Sequence, residues 1–237
     1  MAKFIYGRNA VTSALKTGEV QKLYLTPEIK GFQYQDLLKG QSIEVISLSR
    51  KQLDDLVKTD KHQGVVALIN EFKFAQLSDI FRLEKEFPLV VILDEVSDPQ
   101  NYGAIIRSCD EFGVDFIIVK DRNQSPVNNI VAKASAGATS YVKIIEVTNL
   151  NQTIQILKDN KFWVLGMAGE AANDIYHFDY KIPVALVFGS EGSGIAALTK
   201  KNCDALLKIP TVGHVGSLNV SVSVGITLAV IKHAQNP

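Results

Sequence analysis

Two cysteines and one tryptophan are all that this chain of 237 residues holds of either type. Cys109 and Cys203 stand far apart and without metal-ligand spacing, so neither a disulfide-stapled secreted scaffold nor a zinc module is expected; both read as packing residues of a reduced protein. A charge excess of one sign is also missing. Lysine plus arginine and aspartate plus glutamate number 25 each, which excludes a global field strong enough to draw in a polyanion or an acidic membrane. Long apolar runs are absent too. The longest mostly apolar tract, 218–231, is interrupted by Asn219, Ser221, Ser223 and Thr227, and the opening MAKFIYGRNA lacks an apolar core of signal-peptide length. A cytoplasmic protein with no membrane association is expected.

What is present is ordinary globular material. Hydrophobic residues make up 46% and charged residues 21%, which excludes disorder and collagen-like composition, and the length suits one large domain or two unequal ones. With no global excess, any basic surface must be local. A cut after Lys73 leaves 11 basic and 8 acidic residues before it and 14 and 17 after it, so the parts carry +3 and −3. That asymmetry points an anionic partner toward the N-terminal part.

The patterning divides the chain at about the same place. Residues 1–73 alternate short helical and extended stretches: helices over 10–15 and 33–38, strands over 22–25, 43–47 and 65–69, and a helix N-capped by Ser49 and running to Val57. This predicts a small α/β domain. Residues 74–87 are polar and helix-prone without a strong apolar face, and are expected to be a linker. Residues 88–237 carry four near-continuous apolar runs, LVVIL (89–93), FIIV (116–119), FWVLGM (162–167) and VALVF (184–188), separated by helical stretches at 104–112, 150–160 and 195–201, with a last helix over 220–235. Runs of this kind suit a parallel sheet covered on both faces. Ligands of such sheets bind beyond the carboxyl ends of the strands, so the loops after the runs should hold the site.

Three loops stand out. In DEVSDPQNYGAIIR (94–107), Asn101 offers an amide near a helix entrance and Arg107 a guanidinium about one turn further in, suited to a phosphate or carboxylate; a capping Asn and a surface Arg are the plainer alternative. In FGSEGSG (188–194), the glycines allow close backbone approach to a ligand, but the spacing is neither the dinucleotide fingerprint nor a P-loop. Glu191 would repel a pyrophosphate there. A ligand with hydroxyls, an amine or a positive centre fits better, and a mere tight connection remains the alternative. In IPTVGHVGSLNVSVS (209–223), Ser217 and Asn219 sit at a helix start, where N-capping competes with a site role, and His214 is an acid–base candidate by type alone.

Taken in series, N-x-G-x-x-x-R (Asn101 to Arg107), FGSEGSG (Phe188 to Gly194) and IP followed by SLNVSVS (Ser217 to Ser223) resemble, in order and spacing, the three motifs of the SpoU (TrmH-like) branch of the SPOUT RNA methyltransferases. YGRNAV (6–11), HQGVVA (62–67) and KASAGA (133–138) extend the resemblance over nearly the whole chain. Within the family the sequence is most similar to the guanosine-2′-O-methyltransferases of bacterial 23S ribosomal RNA.

The resemblance implies an α/β fold in which a C-terminal SPOUT domain with a parallel sheet and a trefoil knot follows a small ribosomal-protein-like RNA-binding domain. It also implies S-adenosylmethionine as methyl donor, 23S ribosomal RNA as substrate, and a homodimer with the site at or near the subunit interface. Carried over residue by residue, donor contacts fall on Gly189, Ile209 and Leu218. Asn101, Arg107, Glu191, Ser217 and Asn219 match the polar positions. Arg107 is the family's proposed base, yet a guanidinium rarely gives up its proton, so fixing a phosphate and stabilising alkoxide charge suits it better. The expected RNA contacts are Arg8 and Asn9, then His62 and Gln63. Competing readings are a related enzyme acting on transfer RNA, a binding module without catalysis, and a nucleotide-cofactor oxidoreductase.

Overall fold

A computed structural model describes residues 3–29, 34–69, 72–214 and 216–235. The first stretch runs β1 (Lys3–Tyr6), α1 (Arg8–Lys16), β2 (Val20–Leu25), α2 (Gln35–Leu38), β3 (Glu44–Ser47), α3 (Arg50–Val57) and β4 (Val65–Ile69). It continues through β5 (Leu89–Asp94), α4 (Pro99–Glu111), β6 (Phe116–Lys120), α5 (Asn129–Ala134), β7 (Lys143–Val147), α6 (Leu150–Asp159) and β8 (Trp163–Met167). The last part is β9 (Asn173–Asp174), β10 (Val184–Gly189), α7 (Ala197–Asn202), β11 (Ala205–Lys208) and α8 (Val220–Gln235). The start of the helix expected over 33–38 falls on Gln33, outside the described residues. β1 and β7 were not anticipated: at four or five residues with charged flanks, each is too short for periodicity to resolve.

Two compact units result, one of residues 1–73 with 126–141, the other of 74–125 with 142–237. The first is a four-stranded sheet in the order β1-β4-β2-β3, with β4 antiparallel to both neighbours and β2 parallel to β3. α1 turns Ala10, Val11, Ala14 and Leu15 inward, the stripe an amphipathic helix needs. Val11, Ala14 and Leu15 join Leu23, Val65 and Ala67 in a core that also takes Ala132 of α5. Ser49 caps α3 as expected, in a reciprocal box with Gln52. Patterning alone places 126–141 with the C-terminal body, whereas this segment packs in the first unit.

The second unit is a parallel sheet of seven strands in the order β7-β6-β5-β10-β8-β11-β9. Every residue of β5 is buried, which is why its run reads as unbroken apolar sequence. Val90 and Ile92 meet Leu150, Ile154 and Leu157 of α6 on one face, and the pleat turns Leu89, Val91 and Leu93 to the other. α4 and α8 pack on each other, and α8 also touches β10. Residues 74–87, expected as a linker, are part of this unit: Ile80 is buried in its core and the Ala75 N–H donates to the Ile144 carbonyl at 2.8 Å. Strands made late are inserted between earlier ones, β10 between β5 and β8 and β11 between β8 and β9. This brings the carboxyl ends of β8, β10 and β11 side by side.

Candidate active site

The loops leaving those three strands, with the entrance to α8, line a cavity of about 460 Å³. That volume lies within the range of sites for small organic ligands. β10 ends at Gly189, and the next residues fold back on themselves: the Ser190 N–H donates to the Gly194 carbonyl at 3.2 Å and the Gly194 N–H to the Ser190 carbonyl at 3.0 Å. Gly192 and Gly194 have φ of +92° and +66°, and a Cβ on Gly189 would lie 2.0 Å from the Gly194 carbonyl carbon. Two glycines therefore supply the backbone conformation and the third supplies room. The turn is then anchored from beneath, where the buried Asp94 carboxylate accepts from the Ala196 N–H at 3.1 Å.

Three loops distant in sequence meet at the edge of this cavity. Asp98 caps α4, accepting from the N–H groups of Gln100 and Asn101, and so leaves the Asn101 side chain free to reach outward. Asn101 Nδ2 donates to Glu191 Oε1 at 2.8 Å, while Asn219 Nδ2 donates to Asn101 Oδ1 at 2.9 Å and to Glu191 Oε1 at 2.5 Å. Asn219 is also the cap of α8, its Oδ1 accepting from the Ser221 N–H at 2.9 Å and the Ser221 hydroxyl at 2.6 Å. Capping and site geometry, weighed as alternatives on sequence, are both served by one side chain.

Gly189, Glu191, Ile209, Ser217, Leu218 and Asn219 all line the cavity, and Asn101 is bonded to two of them. Arg107 is not with them. It is exposed on α4, its side chain bonded to no other described residue, and six residues beyond Asn101, which at about 1.5 Å per residue is about 9 Å along the helix. His214 is exposed and does not line the cavity. The loop after β8, whose Ala168, Gly169 and Glu170 form part of the wall, and Lys200 of α7 lie outside the three loops that stand out in the sequence. The position of that loop at a strand's carboxyl end was the available signal. Burial raises both thiols, Cys203 to about 11, in keeping with packing roles.

In the first unit, the residues expected to touch RNA divide. Arg8 and Asn9 are exposed at the start of α1. His62 is fully buried: Nδ1 accepts from the Gly64 N–H at 2.9 Å, so the Nε2 proton faces Asp54 Oδ1 at 2.8 Å. Both ring nitrogens are occupied, and His62 cannot serve as an RNA contact. Gln63 accepts from the Arg8 N–H at 2.9 Å through Oε1, acting as the cap that Gly7 cannot provide. KASAGA joins the same place, with Lys133 Nζ 5.3 Å over the Tyr6 ring and donating to the Lys61 carbonyl at 3.0 Å.

The SpoU rRNA methylase family model matches residues 88–229, and a model for the substrate-binding part of RNA 2′-O ribose methyltransferases matches residues 4–75. The chain belongs to the SpoU family. A Bacillus subtilis (strain 168) relative, YacO, named as a TrmH-family tRNA/rRNA methyltransferase, is 38% identical over 99% of this chain and 96% of its own. The AdoMet-bound rRNA methyltransferase of Sinorhizobium meliloti superposes with a TM-score of 0.84 at 26% identity, covering 98% of this chain and 87% of that one. The TrmH/SpoU tRNA-modifying enzyme of A. aeolicus reaches 0.58 at 26% identity, over 67% of this chain and 82% of its own. This SpoU-family protein is thus an RNA methyltransferase with the family's parallel α/β domain and its N-terminal substrate-binding unit. None of its described helices is long and apolar enough to cross a membrane.

Proposed function

We propose that the protein transfers a methyl group from S-adenosylmethionine to the ribose 2′-hydroxyl of a guanosine in 23S ribosomal RNA, in the cytoplasm and as a homodimer. The observation that carries this reading is the junction of Asn101, Glu191 and Asn219 at the edge of a cavity formed by strand ends. The cavity suits the donor: Leu207, Ile209 and Leu218 give apolar surface for a base, the glycine turn exposes backbone, and Glu191 offers negative charge toward a cationic centre. When bound, S-adenosylmethionine supplies a methyl group on a sulfonium, already an excellent leaving group.

The protein's own work is then to position and to polarise. Asn101 and Asn219 hold Glu191 in one orientation, and Ser217 and Leu218 shape the loop over the cavity. Holding two reactants in line accounts for several kcal/mol, up to about 7–11 in the best intramolecular models. Arg107 fixes the phosphate beside the target ribose and stabilises negative charge as the hydroxyl loses its proton. Its exposure and its lack of a bond to its own cavity support a site completed by a second copy, as do Leu218 and Val222, 39% and 48% exposed at the start of an apolar helix. The insertion of β10 and β11 among earlier strands supports the knot implied by the family resemblance.

Ribosomal RNA is favoured over transfer RNA because the first unit falls within the match to the ribosomal RNA enzyme, whereas the transfer RNA enzyme matches only 67% of the chain. The test is incubation with labelled methyl donor and undermodified large-subunit RNA, followed by mapping of the modified ribose. Label at a guanosine 2′-oxygen is expected. Incorporation into transfer RNA alone overturns the substrate.

A further inference from the structure

The cavity wall after β8 holds an ion pair that none of the three motif loops contains. β8 ends at Met167, and three residues later Glu170 lines the cavity. Lys200 of α7 lines it too and donates through Nζ to Glu170 Oε1. The Glu170 side chain is 62% exposed and that of Lys200 28%, so the carboxylate is open to a ligand while its partner is partly covered. The lysine, with the residue's own backbone N–H, holds the Glu170 carboxyl below its ordinary range. An ionised carboxylate only accepts hydrogen bonds, and its two oxygens offer about four acceptor sites, more than these two groups use.

Position decides what such an acceptor reads. β8 lies parallel and adjacent to β10, with Val187 opposite Gly166, so Glu170 stands at the carboxyl end of the strand beside the one that carries the glycine turn. In parallel sheets that bind nucleosides, a glycine turn ending one strand and an acid in the neighbourhood of the next strand's end meet the ligand together, the acid taking the ribose hydroxyls. We propose that Glu170, held by Lys200, accepts hydrogen bonds from the 2′- and 3′-hydroxyls of the methyl donor's own ribose. The alternative addressee, the donor's aminocarboxylate end, could offer its ammonium to a free acceptor site, but its carboxylate would then lie beside the negative charge of Glu170. A neutral diol leaves the pair intact. Glu191 has a different task in the proposed function, negative charge toward the donor's cationic centre, and Asn101 and Asn219 hold it in one orientation.

This inference rests on the reading that the cavity takes S-adenosylmethionine, and the experiment separates the two. Calorimetry on the full chain would use three probes: S-adenosylhomocysteine, its 2′-deoxyribose analogue, and 5′-methylthioadenosine, which keeps the ribose and lacks the aminocarboxylate. The wild type is expected to prefer S-adenosylhomocysteine over the 2′-deoxy analogue by about tenfold, the scale of a hydrogen bond to a charged group. Glu170→Gln should weaken S-adenosylhomocysteine and 5′-methylthioadenosine alike and remove most of that preference. A Glu170→Gln protein that keeps the full preference overturns the assignment, as does one that weakens S-adenosylhomocysteine while 5′-methylthioadenosine is unaffected. A wild type that binds none of the three overturns the donor reading, and this assignment with it.

Discussion

Arg107 carries a permanent charge on an exposed helix face, with no carboxylate among the described residues to answer it. A side chain so placed contributes little to the fold, since surface substitutions away from caps and cores usually stay within about 0.5 kcal/mol. Arg107→Ala is therefore expected to unfold at the wild-type denaturant midpoint and to bind S-adenosylhomocysteine with unchanged affinity. Turnover should fall by about 100- to 1000-fold, the usual cost of removing one preorganised donor from a developing oxyanion. Arg107→Lys should recover little of it, because a point charge does not reproduce the planar fork. Methyl-transfer rates near wild type in Arg107→Ala would remove the residue from the reaction. Asn101, Glu191 and Asn219 were legible as residue types in spaced motifs. Their direct bonding was not, because separations of 90 and 118 residues are closed only by the tertiary fold.

At the level of elements, the glycine turn after β10 shows which part of a motif serves structure before it serves a ligand. In the sequence alone its glycines read as room for a ligand's approach, with a tight connection as the alternative. The turn in fact closes on its own backbone, and the room at Gly189 is filled by Gly194 and Ile195. Gly189→Ala must push that backbone apart, and overpacking of this kind costs about 1–3 kcal/mol. Gly192 has positive φ but open space around its missing Cβ, so Gly192→Ala should cost only the local backbone strain, about 1–2 kcal/mol at most. Urea titration is expected to rank Gly189→Ala as the more destabilised, with S-adenosylhomocysteine binding lost in it and largely kept in Gly192→Ala. The reverse order would mean that the turn is not what holds the cavity's shape. The apolar runs revealed the buried strands well, since burial on both faces leaves an unbroken pattern. Neighbour order was not readable, because a run such as VALVF fits between any two strands.

Across the whole molecule, charge and chain path set the expectation for where RNA binds. The segment 126–141 has Lys133 as its sole charged residue, so counting it with residues 1–73 raises that unit from +3 to +4 and leaves the other at −4. Lys133 itself is held against Tyr6 and the Lys61 carbonyl, and Ser140 donates to Glu19 at 2.7 Å, so the mid-chain segment belongs to the architecture of the first unit. A fragment ending at Lys73 would lack Ala132 from its core, and RNA binding is properly measured on the full chain. Exposed cations at the start of α1, Arg8 first, are then the expected phosphate contacts. Each contact neutralised on a single strand releases condensed counterions and adds about 0.7 to the slope of log K against log salt. Titrating a ribosomal RNA stem-loop at several salt concentrations should show Arg8→Ala binding less tightly, with a slope shallower by about that amount. Because Gln63 bonds the Arg8 backbone and not its side chain, the substitution should leave the cap and the denaturation midpoint in place. An unchanged slope would move the RNA path away from this helix start, whatever the affinity did.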